Sequence, residues 1–221
     1  MIATRMEMLT PTEAAVVSGI SDRNANRAID EKILPEIYYR VDPNGTRQFK
    51  ADACVFLSFY FNMAKRLTAE ERLRIIAFAS KQLSEVPESI LEKQWLIRQE
   101  FLMIDLAPFL RGVRERMAKL VAAYALVVED PEVLSGTSVL RGTRIPVYDV
   151  AFLVKAGEPL ERILEDYPSL TAETLELSAI YAEADPRRGR RCVSHSLPAG
   201  ATVVTSHRVP ANRSVFEKMA S

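Results

Sequence analysis

The stretch that decides the fold of the second half of the chain is Val127-Val128-Glu129-Asp130-Pro131, followed by Gly136 and by Arg141-Gly142-Thr143-Arg144-Ile145-Pro146-Val147. The apolar run from Tyr124 to Val128 predicts a strand, and the Asp-Pro pair after it ends that strand. Ser138 to Leu140 predicts a second short strand. The sharp turn that follows needs Gly142, because glycine accepts a positive φ that other residues resist.

Three short helices are predicted after Pro146, whose fixed φ suits the start of a helix. They run from about 148 to 156, from about 159 to 166, and onward from Thr171, the predicted N-cap of the third. Gly157 is placed to end the first helix. The second is predicted to bury three apolar side chains, namely Leu160, Ile163 and Leu164.

The residues from Val127 to Ala184 resemble a small domain of unknown function, family 433, that is found in bacterial VapB-type antitoxins. The resemblance rests on Gly142 to Val147, on Glu165-Asp166-Tyr167-Pro168 and on Tyr181-Ala182, and it covers roughly a quarter of the chain. It implies a Trp-repressor-like helical fold, in an antitoxin that neutralises a PIN-type ribonuclease toxin. Within this region we expect Arg144 to pair with a carboxylate, such as Asp149 or Glu165, and the turn to be structural.

Composition favours a globular protein of one or two domains. Hydrophobic residues make up 48% of the 221 positions and charged residues 26%, which is ordinary for a folded chain. No stretch approaches the ~20 apolar residues that span a bilayer, and residues 1–5 lack the apolar core of a signal peptide. Cys54 and Cys192 are far apart in sequence and show no disulfide pattern. We therefore expect a cytoplasmic protein.

A net charge of zero conceals a strong asymmetry along the chain. Residues 127–185 carry 4 basic and 12 acidic side chains, a net of −8, and residues 186–221 carry 7 basic and 1 acidic, a net of +6. Residues 1–50 hold seven of each sign. An acidic surface repels phosphate, so the central region is a poor candidate for the main nucleic-acid surface.

The N-terminal residues have the spacing of a helix-turn-helix. Thr10-Pro11-Thr12-Glu13 fits a capping box with proline at the first helical position. Gly19 is placed in the turn and Ser21 caps a second helix. Small residues at Ala14-Ala15 allow close helix packing. The second helix then projects asparagine and arginine, the side chains that make bidentate contacts to adenine and guanine.

Two strands, Ile37–Val41 and Thr46–Lys50, are predicted around Asp42-Pro43-Asn44-Gly45, since Asn-Gly after proline is a strong turn signal. Residues 8–50 thus look like the winged-helix module of MerR-type regulators. An alternative is a neutral helical domain whose arginines are simply solvated. The predicted DNA-contacting residues are Ser21, Arg23, Asn24, Asn26, Arg27, Arg40, Arg47 and Lys50.

The segment between these regions is predicted to form helices and a hairpin that pack against the rest of the protein. Ala51 to Met63 predicts a buried helix, and Thr68-Ala69-Glu70-Glu71 is a second capping box. A hairpin is predicted from Gln94–Ile97 and Phe101–Leu106, and a helix from about Ala107 to Ala123. That helix either packs in the core of the adjacent domain or forms a dimer interface.

The tail combines basic charge with few apolar residues. Such a segment cannot bury enough surface to offset its ordering entropy, so we expect a flexible tail that folds on a partner. Alternatively it is solvated or lies on its own acidic domain. In a toxin-binding arm, a guanidinium placed among the metal-binding carboxylates of a PIN nuclease would occupy the metal position. The predicted toxin-binding residues are Arg187, Arg188, Arg190, Arg191, Arg208 and Phe216.

The fold class predicted is mainly α with small β hairpins: a winged helix-turn-helix at 1–86, a connecting hairpin and helix at 87–126, a Trp-repressor-like domain at 127–185 and a flexible tail at 186–221. The function predicted is a dimeric, DNA-binding antitoxin and autorepressor with a PIN-like toxin as partner. A MerR-like regulator without a toxin is the alternative. With both histidines in the tail, no CxxC and no phosphate-cradling loop, no catalytic site, cofactor or metal is predicted.

Overall fold

The first two helices begin at the residues that the sequence marks as N-caps, in a computed structural model that describes residues 7–84, 96–99 and 102–187. Helix α1 spans Pro11–Ser18, and the capping box of Thr10 and Glu13 is complete. Helix α2 spans Asp22–Asp30 and is capped by the hydroxyl of Ser21. Gly19 between them takes the left-handed conformation, with φ of 67°. The two predicted helices, their N-caps and the glycine turn between them are therefore confirmed.

The predicted two-stranded wing belongs to a three-stranded antiparallel sheet, in the order β1-β3-β2. Its strands are β1 at Met8–Leu9, β2 at Tyr39–Val41 and β3 at Arg47–Lys50. The predicted first wing strand was too long, because Glu36–Tyr38 forms a 3₁₀ turn before β2. Strand β1 was not predicted. It precedes α1 in the chain and pairs with β3 as the third strand of the sheet.

One helix packs on this sheet, and a second packs against that helix. Helix α3 at Ala53–Asn62 is almost wholly buried, as its sequence predicts, and carries Phe56 and Phe59 into the core. Helix α4 at Ala69–Ser84 begins at the predicted capping box, where the Thr68 hydroxyl accepts from the Glu71 amide and the Glu71 carboxylate accepts from the Thr68 amide. These helices and the sheet form the first hydrophobic core.

The predicted hairpin is present, but its turn was placed too early in the sequence. Strands β4 at Leu96–Gln99 and β5 at Leu102–Asp105 pair antiparallel, so Arg98 and Gln99 lie in a strand instead of the turn. Helix α5 then runs from Ala107 to Leu126. The strand predicted from Tyr124 was also wrong in its first three residues, which remain in α5, where Tyr124 packs against two apolar clusters. Only Val127–Val128, β6, is extended.

The last part of the described chain is a small helical cluster. Strand β7 at Val139–Leu140 pairs with β6, and helices α6 at Val147–Ala156, α7 at Leu160–Asp166 and α8 at Ala172–Ala184 follow. The burial of Ile163 is confirmed, whereas the prediction for Leu160 was wrong: it starts α7 and is 45% exposed. Thr171 caps α8 as predicted.

Helices α5 and α8 join the two parts of the described chain. The second hydrophobic core lies between α5, α6 and α8, and Tyr124 and Ile180 contact both cores. The fold is mainly α with small antiparallel sheets, as predicted. The domain boundaries proposed from the sequence stay predictions. Among the described residues no helix is long and apolar enough to cross a membrane.

Candidate nucleic-acid interface and the adjacent groove

Helix α2 presents its polar residues on one side and buries the other. Ala25, Ala28 and Ile29 are in the core, so Arg23 and Arg27 are exposed while Asn24 and Asn26 are partly so. A shallow depression runs along this side, lined by Arg23, Asn24, Asn26, Arg27, Asp30 and Glu31. The structure thus brings together the four predicted base-reading side chains. Ser21 is nearby but is engaged as the N-cap, with its Oγ 3.3 Å from the Asn24 amide nitrogen.

The wing is fastened to α2 by Arg47. Its guanidinium lies 2.7 Å from Asp30 Oδ1 and donates to the backbone carbonyl of Asn26 at 3.3 Å. The Asn26 side chain donates in turn to the Asp22 backbone carbonyl at 3.1 Å. Both predicted DNA contacts, Arg47 and Asn26, therefore have structural partners that fix the angle between wing and helix.

Two further predicted cations have acidic neighbours. Arg27 Nε lies 2.6 Å from Glu31 Oε1, and this hydrogen bond raises the pKa of Arg27 and lowers the pKa of Glu31. Arg40 Nε lies 3.0 Å from Asp42 Oδ1 in the wing turn. Exposed ion pairs of this type contribute little to the stability of the fold, so a phosphate of DNA can replace the carboxylate as the partner of the arginine.

Arg23 and Lys50 differ from the other predicted cations. Both are exposed, and neither has an ion pair within the residues that the structure describes. Arg23 is on the second residue of α2, where a side chain reaches past the N-terminus of the helix. Of the predicted DNA contacts, it is the one with most freedom to contact a base edge.

A structural contact beside the candidate site that the sequence reasoning missed is made by Arg116 of α5. Its Nε donates to the Val17 carbonyl at 2.7 Å, which places a cation at the C-terminal end of α1. A Cβ at Gly19 would lie 3.2 Å from its Cζ, and one at Gly112 would lie 3.2 Å from its Nη1. A side chain at either position would be in tight contact with the guanidinium, which would have to shift by a few tenths of an ångström. Partial burial lowers the pKa of Arg116. The signal available in the sequence was a glycine inside a helix, four residues before an arginine.

Three tyrosines link α5, α6 and α8. The rings of Tyr124 and Tyr181 are 5.4 Å apart, and those of Tyr148 and Tyr181 are 5.8 Å apart, in edge-to-face contact. The Tyr124 hydroxyl donates to Glu13 Oε1 at 2.6 Å, and the Tyr148 hydroxyl donates to the Asp185 carbonyl at 2.8 Å. Burial raises the pKa of both Tyr148 and Tyr181. This cluster ties the helix-turn-helix to the C-terminal helices.

Beside the helix-turn-helix lies a groove of about 930 Å³. Its walls come from helix α1, the α1–α2 turn and helices α5, α6 and α8. The apolar and small lining residues include Ala15, Val16, Ile20, Ala151, Phe152 and Ile180. The charged ones are Asp22, Arg116, Lys119, Lys155, Glu176 and Glu183. Lys119 and Glu176 form an ion pair across it.

The Arg-Gly-Thr-Arg turn is built by hydrogen bonds to its own backbone. Gly142 has φ of 76°, the Arg141 Nε donates to the Ala125 carbonyl at 2.9 Å, and the Thr143 hydroxyl donates to the Leu140 carbonyl at 2.8 Å. The expected ion pair of Arg144 is not found: the side chain is exposed, and no carboxylate of residues 7–84, 96–99 or 102–187 pairs with it.

The predicted toxin-binding residues fall almost entirely outside the described chain. Arg187 is the exception, and its Cζ lies 4.3 Å from the centre of the Tyr148 ring, within the range of a cation–π contact. Arg188, Arg190, Arg191, Arg208 and Phe216 lie outside the described residues. Within the described part, no three His, Cys, Asp or Glu side chains are grouped as a metal site.

Comparison with known proteins covers both the C-terminal helices and the chain as a whole. Residues 127–182 match the family described as "Protein of unknown function (DUF433)". The chain is 50% identical over 211 residues to "Uncharacterized protein y4eO" of Sinorhizobium fredii, and the match covers 94% of this chain and 95% of that protein.

Among solved structures, the X-ray crystal structure of Rv2018 from Mycobacterium tuberculosis is similar to this chain at 16% identity. The match covers 77% of this chain and 95% of that one. Its TM-score of 0.27 does not establish a shared fold. The identity with the Sinorhizobium protein, by contrast, extends over nearly all of both sequences, and so this chain belongs to the family of y4eO, with a DUF433 region at residues 127–182.

Proposed function

We propose that this protein is the antitoxin of a type II toxin–antitoxin system. It binds its own promoter as a dimeric, MerR-like autorepressor and neutralises a PIN-like ribonuclease. Since its ligands are DNA and a ribonuclease, it acts in the cytoplasm, and it works by binding and without catalysis, cofactor or metal.

The observation that carries the DNA-binding part is the geometry of α2. A capped helix presents Arg23, Asn24 and Arg27 to solvent from a helix-turn-helix, and the wing is held beside it by the Arg47–Asp30 pair. Arginine and asparagine on the N-terminal part of such a helix are the side chains that read base edges in the major groove. Arg40 and Lys50 on the wing are placed for phosphate contacts.

The toxin-binding part rests on two other observations. Residues 127–182 match DUF433, the family whose motifs resemble those of VapB-type antitoxins. Residues 186–221 carry a net charge of +6 in 36 residues, which complements the carboxylates that PIN nucleases gather around their metal. In this proposal the tail supplies the neutralising arginines, and the helical region supplies the scaffold from which the tail extends.

The alternative function is a MerR-like regulator without a toxin partner. The groove favours it, since about 930 Å³ lined by apolar and charged residues, directly beside the helix-turn-helix, has the size of a small-molecule site. A ligand there would contact the α1–α2 turn.

One experiment separates the two proposals. The tagged full-length chain is purified from its native host, and the co-purifying proteins are identified by mass spectrometry. The antitoxin proposal expects a small PIN-like protein encoded beside it, in a stoichiometric complex that shifts the promoter DNA in a gel. A chain that shifts the promoter DNA alone, and carries no such protein, supports the regulator.

A further inference from the structure

Phe152 of α6 stands out among the described apolar side chains. It is 70% exposed, more than any other large hydrophobic residue in the described chain. It shares one face of the helix with Tyr148 and Lys155, which are four residues before and three residues after it. The groove lies directly beside it, with Val16, Ile20 and Ile180 in its lining. A protruding aromatic ring and an apolar recess therefore occupy the same surface.

The helix directions give the groove two distinct ends. The hydrogen bond from Tyr148 to the Asp185 carbonyl joins the start of α6 to the end of α8, so these helices run antiparallel. Helices α5 and α8 run in the same direction, because α5 meets α8 first at the Lys119–Glu176 pair and then at the two tyrosine rings, Tyr124 and Tyr181. Lys155, Lys119 and Arg116 therefore lie toward one end of the groove.

The two ends differ in charge. At the first end, Arg116 and Lys155 have no carboxylate partner within the described residues, and Lys119 is neutralised by Glu176. With Asp22 included, that end carries one net positive charge. At the second end, Glu183 and Asp185 outweigh Arg187, which leaves one net negative charge. When a two-fold rotation brings two grooves together in opposite directions, the positive end of each copy faces the negative end of the other.

We propose that two copies of this chain pair through this face. Phe152 of each copy inserts into the groove of the other, and Lys155 lies opposite Glu183 of the partner subunit. The pattern meets the requirement of a two-fold interface, in which the same patch must complement itself. A stable interface buries roughly 800 Å² per subunit. An inserted aromatic side chain supplies on the order of 150–250 Å² of that area, and the charged rim of α6 and α8 contributes to the remainder.

This arrangement leaves the DNA-reading side of α2 accessible. Arg23, Asn24 and Arg27 line the other depression, whereas the groove touches α2 only at Asp22 among the described residues. Because the α1–α2 turn forms part of the groove wall, the interface would fix the separation of the two α2 helices. This interface rests on the dimeric state in the proposed function, but its test uses neither DNA nor a toxin, so promoter binding and toxin capture can be judged separately if the interface fails.

The test is sedimentation velocity of the full-length protein over a concentration series without DNA. Wild type is expected to dimerise, and Phe152→Asp to raise the dimer dissociation constant at least about 30-fold, the effect of losing a central aromatic contact. Met103→Asp is the matched control, because Met103 is 63% exposed on β5, away from the groove. It should dimerise like wild type. Circular dichroism verifies the fold of each variant.

A charge swap tests the orientation. Lys155→Glu and Glu183→Lys should each weaken the dimer roughly 5-fold, and the double variant should recover most of that loss, which variants that merely unfold cannot do. The proposal is overturned if wild type is monomeric at every concentration, if Phe152→Asp dimerises no worse than Met103→Asp, or if the double variant is not rescued. A chain that dimerises only after residues 188–221 are deleted would also overturn it, because the tail would then be the occupant.

Discussion

The hydroxyl of Tyr124 donates a 2.6 Å hydrogen bond to Glu13 Oε1, although 111 residues separate the two side chains. The other oxygen of the same carboxylate accepts from the Thr10 amide at 2.7 Å and completes the cap of α1. Glu13 is 6% exposed, so both of its oxygens depend on these partners. One buried carboxylate thus starts the first helix of the helix-turn-helix and anchors it to the end of α5.

Tyr124→Phe should lower the free energy of unfolding by about 1–3 kcal/mol, because a buried carboxylate oxygen loses its hydrogen-bond donor. Urea denaturation followed by circular dichroism measures the change. Tyr39→Phe is the control, since the Tyr39 hydroxyl makes no hydrogen bond within the described residues and the ring is also partly buried. Equal losses in the two variants would contradict the role of the Glu13 contact.

The features that the sequence predicts correctly are those with local causes. A threonine or serine cap requires only the amide three residues later, and Thr10, Ser21 and Thr171 are all found as N-caps. The glycine turns at Gly19 and Gly142 depend on a single backbone angle. These interactions span a few residues, so the sequence contains both partners side by side.

The errors arise where the local structure depends on contacts with residues that are distant in the sequence. Residues 124–126 have the composition of a strand, yet they continue α5, where Tyr124 packs against both cores and Leu126 against the second. The contact between Arg116 and Val17 spans 99 residues, and the local signal, Gly112 four residues before Arg116, does not identify Val17 as the partner. For the candidate DNA interface, the residue types were predictable from the sequence. The partner of Arg27 is local, since Glu31 is four residues later, whereas the partner of Arg47 is Asp30, on a different element.

Arg23→Ala and Arg27→Ala should each weaken binding to the promoter DNA by about 1–3 kcal/mol, if the side chains read base edges. Toxin neutralisation should survive. Fluorescence anisotropy with labelled promoter DNA measures affinity. Arg74→Ala is a matched control for Arg27, because Arg74 forms the same i, i+4 pair with Glu70 on α4. Affinity equal to wild type in both α2 variants, with the fold intact, would exclude this helix as the reader.

Gly142→Val should lower the melting temperature before it alters any binding step. Gly142 has φ of 76° and nothing lies within 4 Å of a Cβ added there, so the cost is backbone strain of about 1–2 kcal/mol. Gly142→Asn should cost less, since asparagine tolerates the left-handed region. A Val variant with wild-type stability and lost DNA or toxin binding would show instead that the turn is a binding site.

Cys54 should make the protein less stable at high pH. Complete burial raises the pKa of its thiol to about 12 from an ordinary 9.0, so above pH 9 the unfolded chain ionises and the folded chain does not. Stability therefore falls between about pH 9 and 12, by on the order of 1 kcal/mol per pH unit. Denaturation of Cys54→Ala should show a shallower pH dependence over that window, and an unchanged slope would contradict the assignment.

Deleting residues 188–221 should separate toxin binding from the other properties of the chain. The deletion retains the contact of Arg187 with Tyr148 and every described element, so the truncated protein should remain folded and bind promoter DNA. It should fail to pull down the toxin or to protect cells from toxin expression.

The reason lies in the charge of the deleted segment, since in the proposed complex each charge-assisted contact to a toxin carboxylate would contribute about 1.5–3 kcal/mol. Reversing Arg188, Arg190 and Arg191 to glutamate in the full chain should therefore nearly match the deletion. The matched control reverses Arg162, an exposed arginine of α7, and should leave protection intact. Protection by the truncated chain equal to wild type would move toxin recognition to residues 127–187, where an acidic surface would have to contact the toxin away from its metal site.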